Sequence, residues 1–185
     1  MRHYVLLWFT LLSTSAFGQS EDARILEIKN VYKEVQEFME FGYGRSLLLD
    51  DTGPGGGSTF HFYSEGPRLY HVKQEAGFED GGIYQIEYYF NAENKPCFIY
   101  YKHDLTNESG GTSSYREDRV YISKSEVIKV LRKEMNDQDP KKLAEFIEHI
   151  DQHQNKVAAN NNGEVKGLLT DAIGLSKIWK LHQGL

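Results

Sequence analysis

Apolar positions recur every three or four residues from Glu21 to Phe41, every second residue from Ser58 to Ile122, and every three or four again toward the end of the chain. The first stretch sets Ile25, Ile28, Tyr32, Val35, Phe38 and Met39 on one side of a helix, with Glu, Lys and Asn opposite. Gly42 and Gly44 follow, and glycine commonly ends helices because it takes the left-handed cap conformation without a Cβ penalty. Arg45 to Leu49 is an apolar run suited to a short strand. Asp50 to Gly57, holding four glycines and a proline, reads as a flexible loop.

Within the period-two region, Phe60 and Phe62 alternate with His61 and Tyr63, and Ser64 to Pro67 signals a turn. Leu69, Tyr70 and Val72 continue the alternation over Arg68 to Lys73. The clearest strand carries Tyr84, Ile86, Tyr88 and Phe90 on one face, with Gln85, Glu87 and Tyr89 on the other. Asn91 to Lys95 turns the chain, and Pro96 to His103 returns. A polar loop from Asp104 to Ser114 leads into Tyr115 to Ile122. Turns this short join antiparallel neighbours into a meander.

The remaining segments predict helices. Ser123 and Glu126 have capping-box spacing ahead of Val127, Ile128, Val130, Leu131 and Met135. Asp139-Pro140 supplies an N-cap and a first-turn proline before Leu143, Phe146, Ile147 and Ile150. Ala158 to Glu164 reads as a linker, and Val165 to His182 places Leu168, Ala172, Leu175 and Trp179 at helical spacing, weakened by Gly174. No repeat of fixed period is visible. The expected fold is α+β: an N-terminal helix, an antiparallel meander sheet of four to six strands with helices on one face, and C-terminal helices. Residues 19–136 would form that domain, and 137–185 a helical segment that either packs on it or extends from it.

Ahead of the first helix, Met1-Arg2-His3 and the uncharged run Tyr4 to Leu12 precede small residues at Ala16 and Gly18, the pattern of a signal peptide over residues 1–18. The nine-residue run is too short for a bilayer core that needs roughly 20 residues, and no later stretch is apolar enough to span one. Cleavage near Gly18 would deliver the chain to the periplasm or the exterior. Its formal charge of −6, with Lys and Arg interleaved among acids, argues against nucleic acid as a partner. Cys97 is the single cysteine, so no internal disulfide supports the core. Between Pro96 and Phe98 it reads as a small core residue rather than a nucleophile, which needs an adjacent base and access.

Candidate chemistry is sparse. His149 and His153 stand four apart on an expected helix, a spacing that lets two imidazoles share a metal, with Glu145 one turn earlier. Ile150 stands where the metalloprotease glutamate would follow the first histidine, and a third ligand is missing from the pattern. A solvated helix face is the plainer reading of the pair. His61 and His71 on neighbouring strands would point to opposite faces or lie side by side, depending on whether the turn carries a bulge. The glycine run 53–57 lacks the following helix a phosphate loop requires, and Asp104 to Tyr115 lacks the glycine and terminal glutamate of an EF-hand. Asn107-Glu108-Ser109 has the form of a glycosylation sequon. The unusual feature is aromatic: 12 Tyr and 10 Phe, concentrated between Phe60 and Tyr121. Tyr63, Tyr89, Tyr101 and Tyr121 are the residues that a face free of helices would present to a protein, peptide or glycan. The sequence thus points to an exported soluble binding domain without an assigned cofactor. Two alternatives are a metal-dependent hydrolase using His149 and His153, and a small-ligand carrier with its pocket between the first helix and the sheet.

Overall fold

The first helix, α1 (Glu21–Glu40), starts where Ser20 accepts a hydrogen bond from the Ala23 amide at 3.2 Å, so the side chain takes up one of the unpaired first-turn donors. The computed structural model describes residues 20–41, 45–53, 56–77, 83–105, 112–160 and 162–184. The expected signal segment, the glycines at 42 and 44 and the sequon lie outside these. After α1 come strands β1 (Arg45–Gly53), β2 (Gly56–Glu65), β3 (Arg68–Gly77), β4 (Ile83–Phe90), β5 (Pro96–Leu105), β6 (Ser113–Ser123) and β7 (Glu126–Asp137). Helix α2 (Pro140–Glu148), a 3-10 turn (Ile150–Gln152), the two-residue strand β8 (Lys156–Val157) and helix α3 (Gly163–His182) complete the chain. The fold is α+β, with all eight strands in one antiparallel sheet in sequence order. Among the described residues no helix is long and apolar enough to cross a membrane.

The sheet exceeds the expected four to six strands chiefly because Glu126 to Asp137 is a strand, not a capped helix. Lys124 and Ser125 both take positive φ, 53° and 63°, the backbone of a two-residue turn whose twist matches paired strands. Ser123 then faces Glu126 across the ladder, and the β-branched Val127, Ile128 and Val130 sit well on a pleated surface. The expected glycine loop also contributes strand: Asp50 to Gly53 pair with Gly56 to Thr59.

Helices cover both faces of the sheet, not one. Phe62, Val72, Tyr88, Ile99, Val120 and Val130 face one another across six consecutive strands, each fully buried. They meet Val165, Leu168, Ala172, Leu175 and Trp179 of α3. Each such side chain contributes roughly 1.5–3 kcal/mol by leaving water. One residue along each strand, the row Tyr63, His71, Tyr89, Phe98 and Tyr121 points the other way. Tyr89, Phe98 and Tyr121 of that row pack against Ile25, Ile28 and Val35 of α1. Strands apolar on both sides need cover on both sides.

The hairpins β2–β3, β4–β5 and β6–β7 share one irregularity. In each, the register slips near the turn and leaves one extra residue on the returning strand: Tyr70, Cys97 and Ile128 respectively. All three join the cluster under α1, as a bulge that turns an additional side chain to one face allows. Tyr70 stacks on Phe38 at 4.0 Å, Arg68 lies 4.1 Å above the Tyr70 ring, and Arg68 also pairs with Glu34 of α1 at 2.8 Å. Cys97 is a free, buried thiol that donates to the Tyr89 carbonyl oxygen at 3.4 Å.

Polar contacts fix the other elements. Asp118, fully buried, accepts from the guanidinium groups of both Arg116 and Arg132. Arg116 also reaches Glu164, in the first turn of α3, through bonds of 2.7 and 2.9 Å. Burial works against the Arg116 charge, but Asp118 and Glu164 outweigh it and raise its pKa. At the hairpin end, Asn94 accepts from the Leu69 amide at 2.8 Å and donates to the Pro67 carbonyl at 3.0 Å. From α3, Ser176 donates to the Asn94 carbonyl and Trp179 to that of Pro67. Helix α2 closes the far end of β6 and β7 with buried Leu143 and an edge contact between Phe146 and Tyr115.

Candidate functional site

Ile28 and Tyr32 are one helical turn apart on α1, so both look down onto the sheet. Beneath them Phe98 faces Tyr121 and Tyr100 faces Arg119 across the β5–β6 ladder. With Lys29 at the rim, these seven residues line a cleft of about 360 Å³ between α1 and the sheet, at the small end of the ~300–1,000 Å³ typical of ligand sites. The wall is aromatic. Tyr32 meets Phe98 edge-on at 5.4 Å and lies 5.0 Å from Tyr89, while Phe98 and Tyr121 are 5.2 Å apart. Tyr32 keeps 39% of its surface exposed, which makes it the open side of that wall.

The floor is charged. Arg119 Nη2 lies 2.7 Å from Glu117 Oε1, an ion-pair contact whose angle falls outside hydrogen-bond geometry. Burial first, and then the Glu117 carboxylate to which its hydroxyl is hydrogen-bonded, holds the Tyr100 phenol above its ordinary pKa. Burial likewise raises Tyr121, and Arg119 pulls it partly back. Lys29 has no ion-pair partner among the described residues.

Beside the cleft, a hydrogen-bonded chain ties α1 to β4. Gln36 donates to the Tyr89 hydroxyl at 3.1 Å, and that hydroxyl donates to Glu87 at 2.5 Å. Gln85 donates to the other Glu87 oxygen at 2.5 Å, and His71 Nε2 stands 3.4 Å away. Burial works to raise the Glu87 pKa, yet the nearby His71 imidazole and the hydrogen bonds from Tyr89 and Gln85 bring it down to about 2. His71 is itself buried between the rings of Tyr63 and Tyr89.

The residues singled out from the sequence are distributed across the molecule. Tyr63, Tyr89 and Tyr121 share the α1 face, each standing immediately before the bulge of its hairpin. Tyr89 is in the core, Tyr121 is nearly buried and lines the cleft, and Tyr63 is half-buried. Tyr101 lies on the opposite face, against the α3 core and 5.3 Å below Arg116. The four therefore do not form one bare surface.

His149 and His153 border a second cleft, of about 520 Å³, together with Glu145 and Gln152. They are not on one continuous helix. Helix α2 stops at Glu148, His149 caps it, and His153 follows the 3-10 turn in extended conformation, packed on Phe146 at 4.2 Å. No group of three or more His, Cys, Asp or Glu able to hold one ion occurs among the described residues. His61 pairs with Lys73 and His71 with Tyr63, so the two histidines share a face, diagonally placed. Neither expected arrangement holds, because a two-residue turn and a bulge act together.

Sequence reading missed Lys29, Tyr32, Phe98, Tyr100 and Arg119 as a group. The available signal was the alternation Phe98-Tyr100 and Arg119-Tyr121 on strands that had to pair, and the Ile28-Tyr32 pair one turn apart on the helical stripe of α1. Among known proteins the chain matches no family model, no curated protein and no solved structure, so the cleft is read from its own residues.

Proposed function

We propose that the chain is an exported, non-catalytic binding domain that holds an organic ligand in the cleft between α1 and the sheet. The observation that carries this reading is the cleft itself: an aromatic wall with an open rim, built on two paired strands and a helix. Aromatic side chains supply large contact area at small entropic cost, and rigid elements keep them in position. The ligand is either a free small molecule or a group projecting from a partner protein, peptide or glycan.

The test is an NMR titration of isotope-labelled protein against a fragment library. Signals of Ile28, Tyr32, Phe98 and Tyr100 should move together and saturate. Tyr32→Ala, on the exposed rim, should weaken binding about tenfold while leaving the far-UV circular dichroism unchanged; a tenfold loss corresponds to ~1.4 kcal/mol. Fragments that bind only around His149 and His153, or no saturable shift at all, would remove the proposal. The hydrolase alternative has a narrower basis, the shared cleft of His149 and His153. Absence of a thermal shift on adding zinc to purified protein would count against it.

A further inference from the structure

We infer that the ligand of the α1 cleft joins a flat apolar or aromatic body to a single carboxylate, which Arg119 and Lys29 receive. This rests on the reading of that cleft as the binding site and adds the chemistry of its occupant. The lining contains two cations and no acid. Glu117, which stands just behind, is buried with 4% of its side chain exposed and cannot meet a ligand directly. Its role is to hold Arg119: the 2.7 Å ion pair anchors one nitrogen of the guanidinium, which makes no other ion pair among the described residues. A guanidinium held at one corner, with its remaining donors open, suits an oxyanion. Arg119 keeps about a third of its side chain exposed, so those donors are reachable from the cleft.

Charge bookkeeping selects the kind of anion. Arg119 and Lys29 line the cleft, while the carboxylates of Glu117 and Glu87 stand behind it, Glu87 opposite Tyr100 on β4. The two cations already have carboxylates close by, so a monoanion adds the least further negative charge. A phosphate monoester, at about −1.5 to −2 near neutral pH, would leave negative charge beside buried Glu117. The body of the ligand then rests on Tyr32, Phe98 and Tyr121, whose rings offer faces and edges to a flat group.

The experiment compares 3-phenylpropionate, its neutral amide and phenyl phosphate by NMR titration of the exported chain. The carboxylate should bind at least tenfold more tightly than the amide, since a hydrogen bond to a charged group is worth about ten- to a hundredfold in affinity. Lys29→Gln on the exposed helix face and R119Q should each erase most of that preference, and K29Q guards against any folding defect in R119Q. If carboxylate and amide move the cleft signals with equal affinity, the anion assignment is wrong while the binding site stands. Tighter binding of phenyl phosphate overturns the charge argument. If none of the three probes moves the cleft signals although fragments of other chemistry do, the ligand class is wrong; if nothing moves them, the site itself is refuted.

Discussion

Replacing Glu87 by glutamine tests whether the buried chain beside the cleft stabilises the fold through its charge. In the native state the carboxylate accepts from Tyr89 and Gln85 and stands 3.4 Å from His71, which brings its pKa from an ordinary 4.5 to about 2. A folded-state value below the unfolded one means that between these limits the unfolded chain binds more protons, so stability rises with pH there. The contribution is complete above pH 4.5 and is lost as pH falls toward 2. At about 1.4 kcal/mol per pH unit, that interval amounts to on the order of 3 kcal/mol, trimmed toward ~2 because the side chain is a fifth exposed. Urea unfolding of parent and Glu87→Gln across pH 2 to 7 measures it. The difference between the two proteins should be about 2–3 kcal/mol at pH 6 and should vanish near pH 2. A gap of the same size at both ends of the range would refute the reasoning, since the loss would then come from packing and not from charge.

Asp118→Ala strands two half-buried guanidiniums and should cost about 3–5 kcal/mol, nearer the lower figure because Arg116 keeps Glu164. Guanidinium chloride unfolding reads this, and a joint replacement of Arg116, Asp118 and Arg132 by apolar residues of similar volume should recover most of it. Lys124 and Ser125 occupy left-handed backbone, so K124N with S125G should raise stability by roughly 1 kcal/mol, measured as a higher melting temperature. Burial pushes the Cys97 thiol up to about 12, so at pH 8 an aromatic disulfide reagent should label it only as fast as the protein opens. Rapid labelling of native protein would contradict its place in the core.

Where one physical signal dominated a segment, the sequence revealed the element. The helical stripe from Ile25 to Met39, the alternation through β4 and the Asp139-Pro140 start of α2 all appear in the structure. The segment after Ser123 was misread because two signals competed. Ser123 and Glu126 imitate a capping box, and Val127, Ile128, Val130, Leu131 and Met135 satisfy a helical period as well as a strand packed on both faces. The turn that decides the matter uses Lys124 and Ser125 where asparagine and glycine are usual, so its signature was hidden. Along the chain Tyr70 and Cys97 pass as members of their strands' alternation and Ile128 as part of a helical stripe, which hides the common geometry of the three hairpins. The tyrosines illustrate a different limit: when both faces of a strand are aromatic, local pattern does not say which face a distant helix covers. The cleft joins α1, β5 and β6, a juxtaposition set by register and invisible along the chain.

Each extra residue sits only a few positions from its turn, and this governs how the chain responds to changes in length. Sliding a strand by one residue normally inverts every side chain beyond the slip. Here the out-of-step stretch between bulge and turn is brief, so removing Cys97 or Ile128 re-faces the tip of the hairpin and leaves the long paired portion in place. Single-residue changes at a tip therefore leave the cleft and the aromatic rows aligned; the β6–β7 tip is the natural place to vary a loop, since the other two are tied to α3 through Pro67 and Asn94.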